Sequence, residues 1–127
     1  MENGVVIDSS VFIQHWRSRN KQESLLEQLN RQRRKLCVSA VAKYEVLAGV
    51  KREDVREWRQ IFRNITVFAF DDVAVNVARN IFLQLKRDNK MIDVIDILIA
   101  STAIVNDLPL ATLNRNHFER IRGLRLV

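Results

Sequence analysis

Short, unbroken apolar runs alternate along this chain with stretches of helical periodicity. Val5-Val6-Ile7 is apolar at every position, as in a strand buried on both faces, and it stops at Asp8. Ser9 and Ser10 then precede Val11, Phe12, Ile13 and Trp16, and hydroxyls ahead of an apolar-periodic segment mark a helix start. A polar, arginine-rich helix is expected over Lys21 to Arg34, with Leu25, Leu26 and Leu29 facing inward. Lys35 to Ser39 reads as a second strand, and Ser39 as the cap of a helix from Ala40 to about Val50. Val55, Trp58, Ile61 and Phe62 are spaced for a helix over Arg52 to Phe62. Ile65 to Phe70 reads as a third strand. A helix opened by Asp71 and Asp72 follows, its stripe running from Val73 to Leu85. Asp93 reads as the cap of a helix reaching about Val105, Leu108 to Thr112 as a fourth strand, and Leu124 to Val127 as a candidate fifth.

Strands that alternate with helices across short connections predict an α/β domain with three layers. A mostly parallel central sheet of four or five strands would carry helices on both faces. No repeat, linker or low-complexity stretch divides residues 1–127, which read as one domain. In open parallel sheets, ligands bind outside the carboxyl ends of the strands. Asp8 closes the first strand and therefore stands where a ligand is expected.

Composition narrows the classes. A hydrophobic fraction of 47% supports a real core, and 3 Gly with 1 Pro argue against disorder. One cysteine precludes an internal disulfide; Cys37, in Leu36-Cys37-Val38, reads as a buried strand residue. No leader-like or membrane-spanning stretch stands out, since the run Ile97 to Ile104 is too short and is interrupted by Ser101 and Thr102. A cytoplasmic location with no membrane partner is the expectation. The net charge of +6 suits a polyanion or an acidic protein partner. Arg17, Arg19, Lys21, Arg31, Arg33, Arg34 and Lys35 concentrate in the first third, either as a phosphate footprint or as a solvated face.

Three acids do not fit their surroundings. Asp8 follows Val-Val-Ile, Glu45 lies within Val41 to Val50, and Asp96 sits in Ile95-Asp96-Ile97-Leu98-Ile99. Burying a lone carboxylate costs several kcal/mol unless it is paired or bound to a metal. Each has a structural reading of its own: Asp8 as a helix cap, Glu45 on an exposed face beside Lys43 or Lys51, and Asp96 in a capping box with Asp93. Brought together by an α/β fold, they would repel one another, and a hard divalent cation such as Mg²⁺ would resolve that repulsion. His15 and His117 have no nucleophile signature, and His117 reads as a structural loop residue. Neither a phosphate-cradling glycine loop nor zinc-ligand spacing is present.

These segments resemble the PIN-domain nucleases, and among them the VapC toxins of bacterial and archaeal toxin–antitoxin pairs. Val6-Ile7-Asp8-Ser9-Ser10-Val11 resembles the family's opening strand, first metal-binding acid and following hydroxyl. Ser39 through Gly49 is similar to the helix that supplies a glutamate, and Asp96-Ile97-Leu98-Ile99-Ala100 to the third acidic segment. Leu110 through Phe118 and the closing Gly123-Leu124-Arg125-Leu126-Val127 resemble the late strand, loop and tail. The likeness departs in the late loop. Many relatives carry a fourth acid there and often an arginine, whereas this chain has Leu113, Asn114 and Asn116.

The resemblance implies a single PIN domain that hydrolyses RNA phosphodiester bonds, of transfer or ribosomal RNA. Asp8, Glu45 and Asp96 would hold Mg²⁺, or Mn²⁺ in its place. Ser10, Asp93, Thr112, Asn114 and Asn116 would be supporting groups or substitutes for the fourth acid. It also implies a homodimer and a cognate VapB-type antitoxin. Two other readings stay open: a non-catalytic RNA-binding or regulatory PIN module, and an α/β phosphatase with Asp8 as nucleophile. The latter lacks an acid where Ser10 stands.

Overall fold

A computed structural model gives the structure of residues 3–127. Four parallel strands form one sheet in the order β3-β2-β1-β4: β1 (Gly4–Ile7), β2 (Lys35–Ser39), β3 (Thr66–Phe68) and β4 (Leu110–Ala111). The central strand β1 is buried at all of its positions, with Val5, Val6 and Ile7 at 0% exposure, which explains its unbroken apolar run. Its register pairs Val6 with Cys37 on one side and with Leu110 on the other. Cys37 is buried in β2, as its sequence context predicts.

Helices α1 (Ser9–Arg17), α2 (Leu25–Arg31), α3 (Ala40–Ala48) and α4 (Val55–Arg63) lie in the connections that walk the sheet from β1 through β2 to β3. Helices α5 (Asp72–Arg87) and α6 (Val94–Val105) form the long crossover back to β4, and α7 (Arg115–Phe118) follows. Parallel crossovers are right-handed, so a walk that reverses direction places α5 and α6 on the opposite face from α1 to α4. On the first face, Phe12 and Trp16 of α1 meet Trp58 and Phe62 of α4, with ring centroids 4.9 to 6.4 Å apart. On the second, α6 buries Ile97, Ile99, Ala100, Ser101, Thr102 and Ala103 and packs along α5. The buried Ser101 and Thr102 hydroxyls are satisfied by the Leu98 carbonyl.

Three expectations are corrected. The continuous helix over Lys21 to Arg34 is instead a 3₁₀ turn at Lys21–Glu23 followed by α2. Ser24 is extended (φ −66°, ψ 152°) and its hydroxyl accepts the Glu27 N–H, opening a new helix, while Arg33 turns left-handed (φ 57°) after it. The segment from Arg52 likewise begins with a 3₁₀ turn, Arg52–Asp54, before α4. The candidate fifth strand is reduced to a bridge between Leu110 and Leu126, flanked by hydrogen bonds from Leu110 N to Arg125 O and from Val127 N to Leu110 O. Among the described residues, no helix is long and apolar enough to cross a membrane.

Reversal of strand order between β1 and β4 creates a crevice at the carboxyl end of the sheet. Asp8 leaves β1 there, Ser39 leaves β2 and Thr112 leaves β4.

Candidate metal centre

Asp8 takes the N-cap position of α1 in an extended conformation (φ −71°, ψ 152°), yet its side chain makes no capping bond. The carboxylate turns across the crevice instead. Its Oδ2 accepts from Ser10 Oγ at 2.6 Å and from Thr112 Oγ1 at 2.8 Å. Backbone bonds hold both donors in place: Leu113 N donates to Ser10 Oγ at 3.1 Å, and Asn114 N to Thr112 Oγ1 at 3.0 Å. Asp8 N donates to Ala111 O at 2.9 Å, fixing the end of β1 against β4. The residue is 1% exposed, and its other oxygen, Oδ1, is buried without a partner.

Glu45 projects from α3, which Ser39 starts by accepting the Ala42 N–H at 3.0 Å. Its Oε1 is likewise buried without a partner. Desolvation pushes the Glu45 carboxyl above the ordinary carboxylate range; a hydrogen bond from Ser9 opposes this, and the charges of Asp8, Asp96 and Asp93 add to it. Asp96 lies in the first turn of α6 and is half-buried. It too is pushed up, chiefly by desolvation and further by Asp8 and Asp93, against a lowering hydrogen bond from His117. Acids from β1, α3 and α6 therefore share one electrostatic field, although they are far apart in sequence.

Asp93 occupies the N-cap of α6, but its carboxylate makes no capping bond; it is exposed and adds its charge to the field of Glu45 and Asp96. Asn114, at the N-cap of α7, and Asn116, within it, are exposed, and the hydrogen bond Asn114 gives the site comes from its backbone N–H. His117, also in α7, reaches Asp96 with Nδ1 at 3.3 Å from Oδ2. In sequence it reads as a loop residue, because nothing at position 117 signals that α7 folds over the first turn of α6. The pairing of Ser10 with Thr112 across the crevice was equally hidden by their separation in the chain.

The donor set fits a hard divalent cation. It is all oxygen, two of its buried oxygens lack any partner, and its charges raise the proton affinity of Glu45 and Asp96. Among the described residues, no three His, Cys, Asp or Glu side chains stand close enough together to hold a metal ion between them. Contact with an ion would thus run partly through water, as is usual for Mg²⁺.

The arginine-rich first third is only partly free to meet a ligand. Lys21 Nζ donates to the carbonyls of His15, Trp16 and Ser18, Arg31 to that of Gln22, and Arg34 to those of Asn3 and Gly4. These cations tie down loops. Arg17 and Lys51 instead line a cavity that reaches Glu45.

The chain is similar to known proteins in sequence and fold. The family model described as PIN domain matches residues 5–124. Ribonuclease VapC10 of Mycobacterium tuberculosis is 31% identical over 121 residues, covering 95% of this chain and 90% of its own. Ribonuclease VapC1 of Methanocaldococcus jannaschii is 29% identical over 98% of this chain and 88% of its own. The tRNA(fMet)-specific endonuclease VapC of Shigella flexneri is 27% identical over 94% and 93%. In fold, the chain is similar to DNA-bound VapBC from Salmonella typhimurium, with a TM-score of 0.86 at 22% identity over 98% of this chain and 96% of that one.

Proposed function

The chain belongs to the PIN-domain family, and from that membership we propose that it is a divalent-metal-dependent endoribonuclease of the VapC type, the toxin half of a toxin–antitoxin pair. The observation that carries the reading is the pair of partnerless buried oxygens, Asp8 Oδ1 and Glu45 Oε1, in one field with Asp96. Asp8, Glu45 and Asp96 hold Mg²⁺ or Mn²⁺, directly and through water. When bound, the ion supplies a Lewis acid for a phosphodiester oxygen and a water acidified for in-line attack.

The protein's own groups prepare that chemistry. Ser10 and Thr112 engage Oδ2 of Asp8 and leave Oδ1 without a partner, free to serve a cation, and His117 engages Oδ2 of Asp96 in the same way. Asp93 adds negative charge at the rim without blocking it. RNA is the substrate class because the relatives are named ribonucleases and one is named for a transfer RNA. A VapB-type antitoxin is the expected partner, since the solved relatives are VapBC complexes. A homodimer is supported by α5, where Val75 and Phe82, two helical turns apart, are exposed on one face.

The test is cleavage of a pool of structured RNAs by the purified protein with Mg²⁺, Mn²⁺ or chelator, beside Asp8→Asn. Cleavage that needs the metal and disappears in the variant is expected. Equal cleavage by the variant would defeat the metal-site assignment. Tight binding without cleavage under any metal would indicate a non-catalytic module, and phosphate trapped on Asp8 a phosphatase.

A further inference from the structure

Beside the carboxylates lies a cavity of about 440 Å³ between α1, α3 and α4. This falls within the roughly 300–1,000 Å³ of pockets that enclose small organic ligands. Glu45, one of the three acids of the candidate metal centre, lines the cavity, whereas Asp8 and Asp96 do not. Ile13, Val46 and Val50 make it apolar, Trp16 and Trp58 give it indole surface, and Arg17 and Lys51 bring cations to it. Trp58 is 1% exposed, and its Nε1 is a buried donor without a partner. An unsatisfied buried donor is a standing cost that a bound acceptor removes.

We propose that this cavity is a nucleotide pocket, which takes the base adjacent to the scissile phosphate and gives the enzyme a preference for particular bases at that position. The inference rests on the nuclease reading and extends it from a cutting centre to a sequence-reading subsite. The wall carries two cations, Arg17 and Lys51, and two acids, Glu45 and Asp54, so its indole surface rather than its net charge selects the occupant. An aromatic, largely apolar cavity with cations beside it and a metal-binding acid at one end matches a planar base whose flanking phosphates are anionic. The half-buried Trp16 offers a stacking surface, and its 4.9 Å approach to Trp58 stiffens that wall. Arg17 and Lys51 meet the backbone phosphates. Asp54, also on the wall, accepts from exocyclic amino groups and so distinguishes bases that carry them from those that do not.

The chain contains 2 tryptophans and both line this cavity, so its intrinsic fluorescence reports occupancy directly. RNA dinucleotides of every base combination are titrated into the protein in chelator, where no cleavage occurs, and a fluorogenic RNA is cut in parallel with Mg²⁺. Gly49→Leu fills the cavity wall. Gly49 has φ −91°, and an added Cβ meets only the Glu45 and Val46 carbonyl oxygens, at 3.7 and 3.8 Å, so the backbone accepts a side chain. Saturable quenching that differs between bases is expected, weakened about tenfold or more by Gly49→Leu, the loss that follows when a base gives up its stacking surface. Arg17→Gln with Lys51→Gln, both exposed, provides a second variant that leaves the core untouched. It should weaken binding and flatten its salt dependence, because the cations that meet the phosphate are gone.

Quenching that is absent for every dinucleotide while Mg²⁺-dependent cleavage proceeds would overturn the pocket and leave the nuclease reading standing. Base-dependent quenching lost in Gly49→Leu, without cleavage under Mg²⁺ or Mn²⁺, would support the pocket and defeat the nuclease reading. Quenching by an arginine-bearing peptide, complementary to Glu45 and Asp54, but by no dinucleotide would also overturn the pocket and assign the cavity to a protein partner.

Discussion

Thr112 Oγ1 donates to Asp8 Oδ2 across 2.8 Å, joining residues 104 positions apart at the mouths of neighbouring strands. The same hydroxyl accepts the Asn114 N–H at 3.0 Å, so one buried oxygen links the first acid to the late loop. Thr112→Val keeps the shape and removes both bonds. It is expected to destabilise the fold by about 1–3 kcal/mol and to weaken Mn²⁺ binding by about 10–100-fold. Denaturant unfolding and calorimetric Mn²⁺ titration measure the two effects, and Thr112→Ser should restore most of both. Unchanged Mn²⁺ affinity in Thr112→Val would show that the hydroxyl is structural only.

Asp8→Asn separates charge from shape. Asp8 raises the proton affinity of both Glu45 and Asp96, so neutralising it should move both carboxyls back toward their ordinary values. Side-chain carboxyl resonances followed by NMR titration read this directly, without metal or substrate. If neither moves, the three acids do not share a field and the centre is wrongly assembled.

The pH dependence of stability has a definite sign. Glu45 and Asp96 hold their protons to higher pH in the folded chain than at their ordinary values of 4.5 and 3.8. Below those ordinary values both states are protonated and the site costs nothing. As pH rises from there through the folded values, the unfolded chain ionises first and the site's contribution falls; above them the penalty is fully present. Glu45→Gln together with Asp96→Asn should therefore become more stable relative to the parent as pH rises from about 4 to 7 in metal-free buffer. Saturating Mg²⁺ should narrow the gap by stabilising the parent alone. A constant difference across that range would contradict the raised proton affinities.

His117 offers a test of the late loop. Its hydrogen bond lowers the proton affinity of Asp96 against the larger effect of desolvation. Removing the ring in His117→Ala should push the Asp96 carboxyl further up and weaken metal binding near neutral pH. Glu45 should move less, because His117 reaches it only through the charge of Asp96. NMR titration of the two carboxyls distinguishes this local effect, in which Asp96 moves more than Glu45, from a general loosening, in which both would move alike.

Much of the architecture is legible because its cause is local. Val5-Val6-Ile7 is apolar at every position because β1 is covered on both faces, and Ser39 and Asp71 precede helices that they cap with their own side chains. The misplaced acids were legible for the complementary reason: a carboxylate inside core-like sequence needs a compensation that sequence neighbours do not provide. Local patterning failed where tertiary contacts decide. Asp8 and Asp93 read as caps and take the cap positions, yet neither side chain caps, because one is drawn across the crevice by hydroxyls and the other stands at the rim. The break at Ser24 was missed because Leu25, Leu26 and Leu29 keep helical spacing on either reading. The Trp16 and Trp58 wall was invisible because each tryptophan reads simply as core on its own helix.

The lopsided bonding of the carboxylates bears on which ion the centre prefers. Ser10 and Thr112 both engage Asp8 Oδ2, and His117 engages Asp96 Oδ2, while Asp8 Oδ1 and Glu45 Oε1 stand bare. An acid with one oxygen already committed grips a cation through the other alone and is a poor two-toothed clamp. Ca²⁺, which gathers six to eight oxygens and favours such clamps, gains little from this arrangement, whereas Mg²⁺ needs only single contacts and keeps its waters. On the proposed metal reading, the hydroxyls of Ser10 and Thr112 would thus act as a filter on ionic size, set before any RNA arrives.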